Sequence, residues 1–156
     1  METEREERKE QLITANPKET LALGERLAQE LNPGDCVALV GELGAGKTTL
    51  IKGLARGLGV PEEEVISPTF MLIREHRGGR VPLFHVDAYR ISDPDELREI
   101  GIEEYLLSGE GITVIEWAER VEGLLPPGCI RIELEVLSAT ERRITITRPS
   151  GAPTPR

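Results

Sequence analysis

Gly41-Glu42-Leu43-Gly44-Ala45-Gly46-Lys47-Thr48 is the stretch that decides the fold. It fits G-x-x-x-x-G-K-[ST], the spacing of a phosphate-binding P-loop. Both flanks agree with that reading. Cys36-Val37-Ala38-Leu39-Val40 reads as a buried strand leading in, and Leu50, Ile51, Leu54, Ala55 and Leu58 recur at helical spacing leading out. A strand, a glycine loop and a helix N-terminus together make an anion site. Backbone N–H groups wrap the phosphates, and the helix dipole adds positive potential. In this arrangement Lys47 reaches the β/γ-phosphates and the Thr48 hydroxyl binds Mg²⁺. Gly41, Glu42, Leu43, Gly44, Ala45, Gly46 and Thr49 complete the expected phosphate-contacting segment.

The chain has 156 residues, 28 of them acidic and 19 basic, for a net charge of −9. That length suits one domain, expected over residues 1–148, with 1–9 a charged extension and 149–156 a disordered tail. A chain of this size buries about 68–70% of its unfolded surface and needs no disulfide staples. The acidic excess argues against a nucleic-acid-binding surface as the main device, since such domains carry a basic patch. Cys36 and Cys129 lie in apolar, strand-like segments and read as buried core thiols. No Cys-x-x-Cys or Cys/His spacing suggests a metal cage. Met1 to Glu10 is charged and lacks the apolar core of a signal peptide, and no apolar run is long enough to span a membrane. The expected location is the cytoplasm.

Working outward, Glu10 to Ala15 reads as a short first strand. Asn16-Pro17-Lys18-Glu19 reads as a helix start, with Asn16 as cap, Pro17 at the first helical position and Glu19 completing a capping box. Leu23, Leu27 and Leu31 supply that helix's apolar stripe, and Asn32-Pro33-Gly34-Asp35 ends it. Gly59 fits a helix C-terminal cap after the P-loop helix. Thr69 to His76 and Val81 to Asp87 read as two strands joined through Gly78-Gly79 as a two-residue hairpin. Asp93-Pro94-Asp95-Glu96 starts another helix that Gly101 should interrupt, before a short segment around Tyr105-Leu106-Leu107. Ile112 to Glu116 is a compact buried strand. Ile130 to Val136 and Arg142 to Thr147 alternate as a final antiparallel pair. The expected fold is α/β, a P-loop NTPase-like mixed sheet flanked by helices as a three-layer sandwich, with its site at the strand C-terminal edge.

A P-loop needs acidic partners for Mg²⁺ and for positioning a nucleophile. Leu83-Phe84-His85-Val86-Asp87 and Ile112-Thr113-Val114-Ile115-Glu116 each end in a carboxylate, and either resembles a Walker B strand. Capping of a turn is the competing role for Asp87 and for Glu116. The strand period places His85, Asp87 and Tyr89 on one side while the strand persists. His85 and His76 lack metal-ligand spacing and read as structural histidines. Ser67-Pro68-Thr69 offers hydroxyls of the kind that sense a γ-phosphate in switch loops, or an ordinary turn. Arg90 follows Asp87 and Tyr89 closely and either stabilises transferred charge, pairs with a partner's carboxylate or forms a surface ion pair. Trp117, the only tryptophan, is a candidate wall of the nucleotide site.

The ordered set of these pieces resembles the bacterial TsaE (YjeE) family. The residues that carry the resemblance are the P-loop run through Thr49, Ser67-Pro68-Thr69-Phe70, His85-Val86-Asp87-Ala88-Tyr89-Arg90, Asp93-Pro94-Asp95-Glu96-Leu97 and Ile115-Glu116-Trp117-Ala118-Glu119. They span about Asn16 to Glu119. The resemblance implies an ATPase that uses ATP and Mg²⁺ in tRNA threonylcarbamoyladenosine biosynthesis, working with the TsaD and TsaB proteins. It implies metal positions at Thr48 and Asp87, with Glu116 contacting the metal region and supporting hydrolysis. Lys47 and Glu116 are the expected catalytic pair. Trp117 is implied as the adjacent aromatic, and the Pro17 to Thr20 stretch, through Thr20, as an approach to the nucleotide. Ser67, Thr69, Tyr89 and Arg90 are the expected switch or partner-facing residues. tRNA is then met only indirectly, and no membrane is involved. The rival readings are a small-molecule P-loop kinase, with Arg74, Arg77 and Arg80 on a lid, and a nucleotide-dependent regulatory module. No Asn-Lys-x-Asp sequence is present to read guanine.

Overall fold

The computed structural model describes residues 7–42, 44–61 and 73–149. In chain order these form β1 (Glu7–Thr14), α1 (Pro17–Ala28), β2 (Cys36–Gly41), α2 (Lys47–Leu58), β3 (Ile73–His76), β4 (Leu83–Asp87), α3 (Asp95–Glu99), α4 (Ile102–Ser108), β5 (Ile112–Glu116), a 3₁₀ helix (Ala118–Leu124), β6 (Ile130–Val136) and β7 (Arg142–Pro149). The seven strands make one mixed sheet in the order β1-β7-β6-β2-β5-β4-β3. β2 runs parallel to both β5 and β6, and β4 runs parallel to β5. β3, β7 and β1 close the two sides with antiparallel pairs. Parallel strands need covered faces, and the two-residue period sorts the side chains accordingly. Val37, Leu39, Leu83, Ile112 and Val114 join the apolar stripes of α1 and α2 in one core. Cys36, Ala38, Val86, Ala88 and Ile115 join Leu97, Ile102, Ala118, Val121 and Leu124 in the other. The α/β fold with helices on both faces of a mixed sheet is the one the sequence pattern predicts.

The local signals behave as their chemistry requires. Asn16 Oδ1 accepts from the Glu19 N–H at 2.9 Å, while Glu19 Oε1 accepts from the Ala15 N–H at 2.7 Å, one residue before the usual capping-box partner. The same device recurs at Asp93, whose Oδ1 accepts from the Asp95 N–H, with Glu96 reaching back to the Ser92 N–H. Gly59 ends α2 at φ 89°, and Gly101 separates α3 from α4 at the same φ.

Three boundaries differ from the sequence reading. β1 starts at Glu7 rather than Glu10, because its backbone pairs along β7 as far as Pro149, a residue assigned above to the tail. Residues 150–156 and 1–6 lie outside the described residues. The β3–β4 connection is longer than the two glycines suggest: pairing closes at His76 and Leu83, leaving residues 77–82 as the loop. This loop is tied to α2 instead of folding on itself. The Arg80 N–H donates to Leu58 O at 2.7 Å, and its guanidinium donates to Ala28 O at 2.8 Å. The part of the expected strand from Thr69 to Leu72 lies outside the described residues. Cys36 and Cys129 bring their sulfurs to 3.0 Å, and the hydrogen bond from Cys129, with burial, pushes the Cys36 thiol up. Among the described residues no helix is long and apolar enough to cross a membrane.

α1 and α2 approach closely because their contact is made of backbone. A Cβ on Gly24 would stand 2.4 Å from Leu50 O, and one on Gly53 would stand 2.2 Å from Leu21 O. Gly53→Ala should therefore cost about 1–3 kcal/mol, the usual range for overpacking a filled core. Urea unfolding measures this. Gly123→Ala, where nothing lies within 4 Å of the added atom, serves as the control and should be near neutral.

Candidate functional site

The phosphate loop begins where β2 ends, at the centre of the sheet. Gly44 (φ 83°) and Gly46 (φ 100°) adopt backbone conformations that suit glycine, and Gly46 leads directly into α2. The Ala45 N–H donates to Glu42 O at 3.0 Å and tightens the turn. Leu43 lies outside the described residues. Lys47 is only 5% exposed. Its Nζ donates to Gly41 O at 2.5 Å and Glu42 O at 2.9 Å, and lies 3.9 Å from the Trp117 ring centroid. Burial lowers the Lys47 pKa, while the charges of Glu116, Glu119, Asp87 and Glu42 oppose that shift. Thr48 and Thr49 follow in the first turn of α2, both half-buried. Thr20 reaches the same place from α1. Its hydroxyl meets that of Thr14 at 2.8 Å, and its methyl lies 3.9 Å from where a Cβ on Gly46 would stand.

The acidic side of the site follows from strand register. Asp87 and Glu116 are direct neighbours at the ends of β4 and β5, and Glu116 is level with Leu39 of β2. Both carboxylates thus occupy the sheet edge from which the phosphate loop departs. Glu116 is 3% exposed, and its Oε2 meets His85 Nε2 at 2.5 Å. An ionised carboxylate only accepts, so Nε2 carries the proton in this contact. The His85 ring is fully buried and its Nδ1 has no hydrogen-bond partner among the described residues. The capping alternative fits Asp87 in part, since one oxygen accepts from the Tyr89 N–H at 3.0 Å. Glu116 instead uses its side chain on His85. The sequence reading treated that histidine as structural only. The signal that it belongs here was its two-residue offset from Asp87.

Trp117 is the one non-glycine residue with positive φ among the described residues, at φ 60° and ψ 42°. Its ring lies between Lys47 and Tyr89, 4.9 Å from the Tyr89 ring centroid. The Arg120 guanidinium lies over Tyr89 and Trp117 at 5.6 and 5.8 Å. Tyr89 is 44% exposed. Arg90 is exposed beside it and makes no ion pair among the described residues. Ser67 and Thr69 lie outside the described residues. No group of three or more His, Cys, Asp or Glu side chains is placed to hold a metal among the described residues. Arg77 is engaged by Glu75 and Glu110, and Arg80 by Ala28 O, so these two arginines are tied to the scaffold.

The Asp87 carboxyl is raised chiefly by burial, with the Glu116 charge adding to it. Its ionised form is therefore disfavoured by folding. That cost is present at neutral pH and disappears as pH falls below the ordinary carboxylate range. Asp87→Asn keeps the acceptor for the Tyr89 N–H and removes the charge. The variant should melt at or above the wild-type temperature at about pH 8 without metal or nucleotide, with the advantage shrinking towards about pH 4. Calorimetric melts across that range measure the difference.

Comparison with known proteins establishes the family and the fold. The model of the family described as threonylcarbamoyl adenosine biosynthesis protein TsaE matches residues 14–144. The tRNA threonylcarbamoyladenosine biosynthesis protein TsaE of Bacillus subtilis is 43% identical over 134 residues, covering 86% of this chain and 82% of the relative. The protein of the same name from Treponema pallidum is 40% identical over 134 residues, covering 86% and 97%. The crystal structure of Bacillus subtilis YdiB superposes with a TM-score of 0.77 at 36% identity, over 93% of this chain and 88% of that one. The chain belongs to the TsaE family, the threonylcarbamoyl adenosine biosynthesis proteins.

Proposed function

We propose that this chain is the ATP-binding and hydrolysing subunit of tRNA threonylcarbamoyladenosine formation, acting on the TsaD–TsaB transferase in the cytoplasm. The observation that carries the ATPase reading is the convergence of Lys47 with Asp87 and Glu116 at the mouth of a glycine loop. The loop's N–H groups and the start of α2 bind phosphates, and Lys47 neutralises charge on the β/γ oxygens. Lys47 is held by two loop carbonyls and a ring face, so its ammonium can exchange those carbonyl acceptors for phosphate oxygens without crossing the site. Thr48 and Asp87 would hold Mg²⁺, beside Glu116, and the ion supplies neutralisation of phosphate charge. Glu116, hydrogen-bonded to His85, would take the proton of a water attacking the γ-phosphorus, with ADP leaving and phosphate formed. Thr20 and Trp117, beside Gly46 and Lys47, would line the nucleotide site.

The partner reading rests on family membership, on the −9 charge and on the aromatic face at Tyr89. Each phosphate contact with a nucleic acid needs a protein cation. Several basic side chains here are already engaged by acids, as with Arg26 and Arg148 on Glu10. tRNA is therefore held by other subunits, and Tyr89 and Arg90 face them. A small-molecule kinase would need free arginines on a lid, whereas two of its three candidates, Arg77 and Arg80, are committed to the scaffold.

Two experiments test these readings separately. Saturating ATP at about 100 times its dissociation constant should stabilise the native chain by about 2.7 kcal/mol. Lys47→Ala should abolish most of that thermal shift, and Glu116→Gln should keep it while turnover falls by about 10²-fold or more. Wild-type turnover in Glu116→Gln would remove that residue from the chemistry. For the partner, capture on an immobilised TsaD–TsaB pair should depend on nucleotide, and labelled tRNA should bind the isolated chain weakly at physiological salt. Submicromolar tRNA binding, with no capture in any nucleotide state, would overturn the assignment.

A further inference from the structure

We propose that Arg142, in the C-terminal hairpin, is the positioning residue that fixes the phosphate loop in its anion-binding conformation. Arg142 lies 97 residues beyond Ala45. Its Nε donates to Ala45 O at 3.1 Å and its Nη2 to Gly44 O at 3.2 Å. Its Nη1 donates to Ser138 O and Glu141 O, both at 2.9 Å. One planar guanidinium thus holds two carbonyls of the loop and two of the β6–β7 turn in a fixed mutual geometry.

The effect on the loop follows from peptide planarity. In a trans peptide the C=O and N–H point in opposite directions. Holding Ala45 O outward turns the N–H of Gly46 inward, towards the start of α2. Holding Gly44 O outward turns the Ala45 N–H inward, where it meets Glu42 O. Glycines flank this point on both sides and would otherwise allow many conformations. The brace itself is rigid. Arg142 pairs with Val136 of β6 on one side and Thr14 of β1 on the other. Its side chain is half-buried, and no carboxylate pairs with it among the described residues. Its charge therefore adds to the positive potential around the loop. The role rests on the nucleotide reading above, but the ordering of the loop does not.

The test uses the full chain with Arg142→Met, which keeps length and removes every donor, and Arg142→Lys, which keeps charge and loses the fork. Three readouts are taken: ATP affinity by calorimetric titration, amide hydrogen exchange of residues 41–49 without nucleotide, and the melting temperature. Arg142→Met should bind ATP at least tenfold more weakly and exchange faster at 41–49 than in β6 and β7. Arg142→Lys should lie between it and the wild type in both. Unchanged affinity and unchanged loop protection in both variants would overturn the proposal. So would exchange that accelerates equally across β1, β6 and β7, since that marks a general strap. A wild-type chain that binds no ATP would remove the nucleotide reading alone. Retained loop protection in Arg142→Met would then still overturn the ordering role.

Discussion

Parallel pairing of β2 with β5, and of β5 with β4, is the constraint on which the site depends. It brings three strand ends to one edge of the sheet, so Gly41, Glu116 and Asp87 leave the core together. None of these residues is near another in sequence. The register is set by burial: shifting β4 by one residue would send Leu83 and His85 to the opposite face and Phe84 and Val86 to the α1/α2 side. Because β2 is the fourth of seven strands, the loop leaving it is walled on both sides. α1 and α2 can lie close over that edge because glycines meet backbone where they touch.

The site carries opposed charges under conditions that disfavour each of them. Burial pushes Lys47 down and Asp87 up, so each is least comfortable in its ionised form. Their mutual attraction offsets part of this, and Glu116 meets His85 through a hydrogen bond. Buried charges of this kind are poor sources of stability compared with apolar packing. The stability that tolerates them comes from the two continuous cores on either face of the sheet.

Much of this was legible in the sequence, and what was legible was local. The glycine loop, the Asn16 and Asp93 caps, the Gly59 and Gly101 stops, and the strands ending in Asp87 and Glu116 are each written in a few adjacent residues. The contacts that could not be read are those between distant segments. His85 on Glu116, Gly24 on α2, Cys36 beside Cys129 and Arg142 on the loop all depend on strand order. The hairpin misreading has the same origin. Gly78-Gly79 satisfies a two-residue turn rule, but the bond from Arg80 to Leu58 pulls the chain onto α2. The site is thus a local motif completed by non-local contacts that the motif does not encode.

Trp117 shows how the completion is achieved. A tryptophan in the left-handed region costs on the order of 1–2 kcal/mol, and strain of this kind persists only where its surroundings over-determine it. Here they do. The residue follows Glu116 and precedes the 3₁₀ helix, so the turn must occur within one residue. Its ring packs on the α3/α4 core, lies over Lys47 and touches the exposed Tyr89. A relaxed backbone at this point would move the ring off at least one of the three. The aromatic pair therefore joins the loop lysine to the protein surface by direct contact. Only the Trp117 ring separates Lys47 from Tyr89.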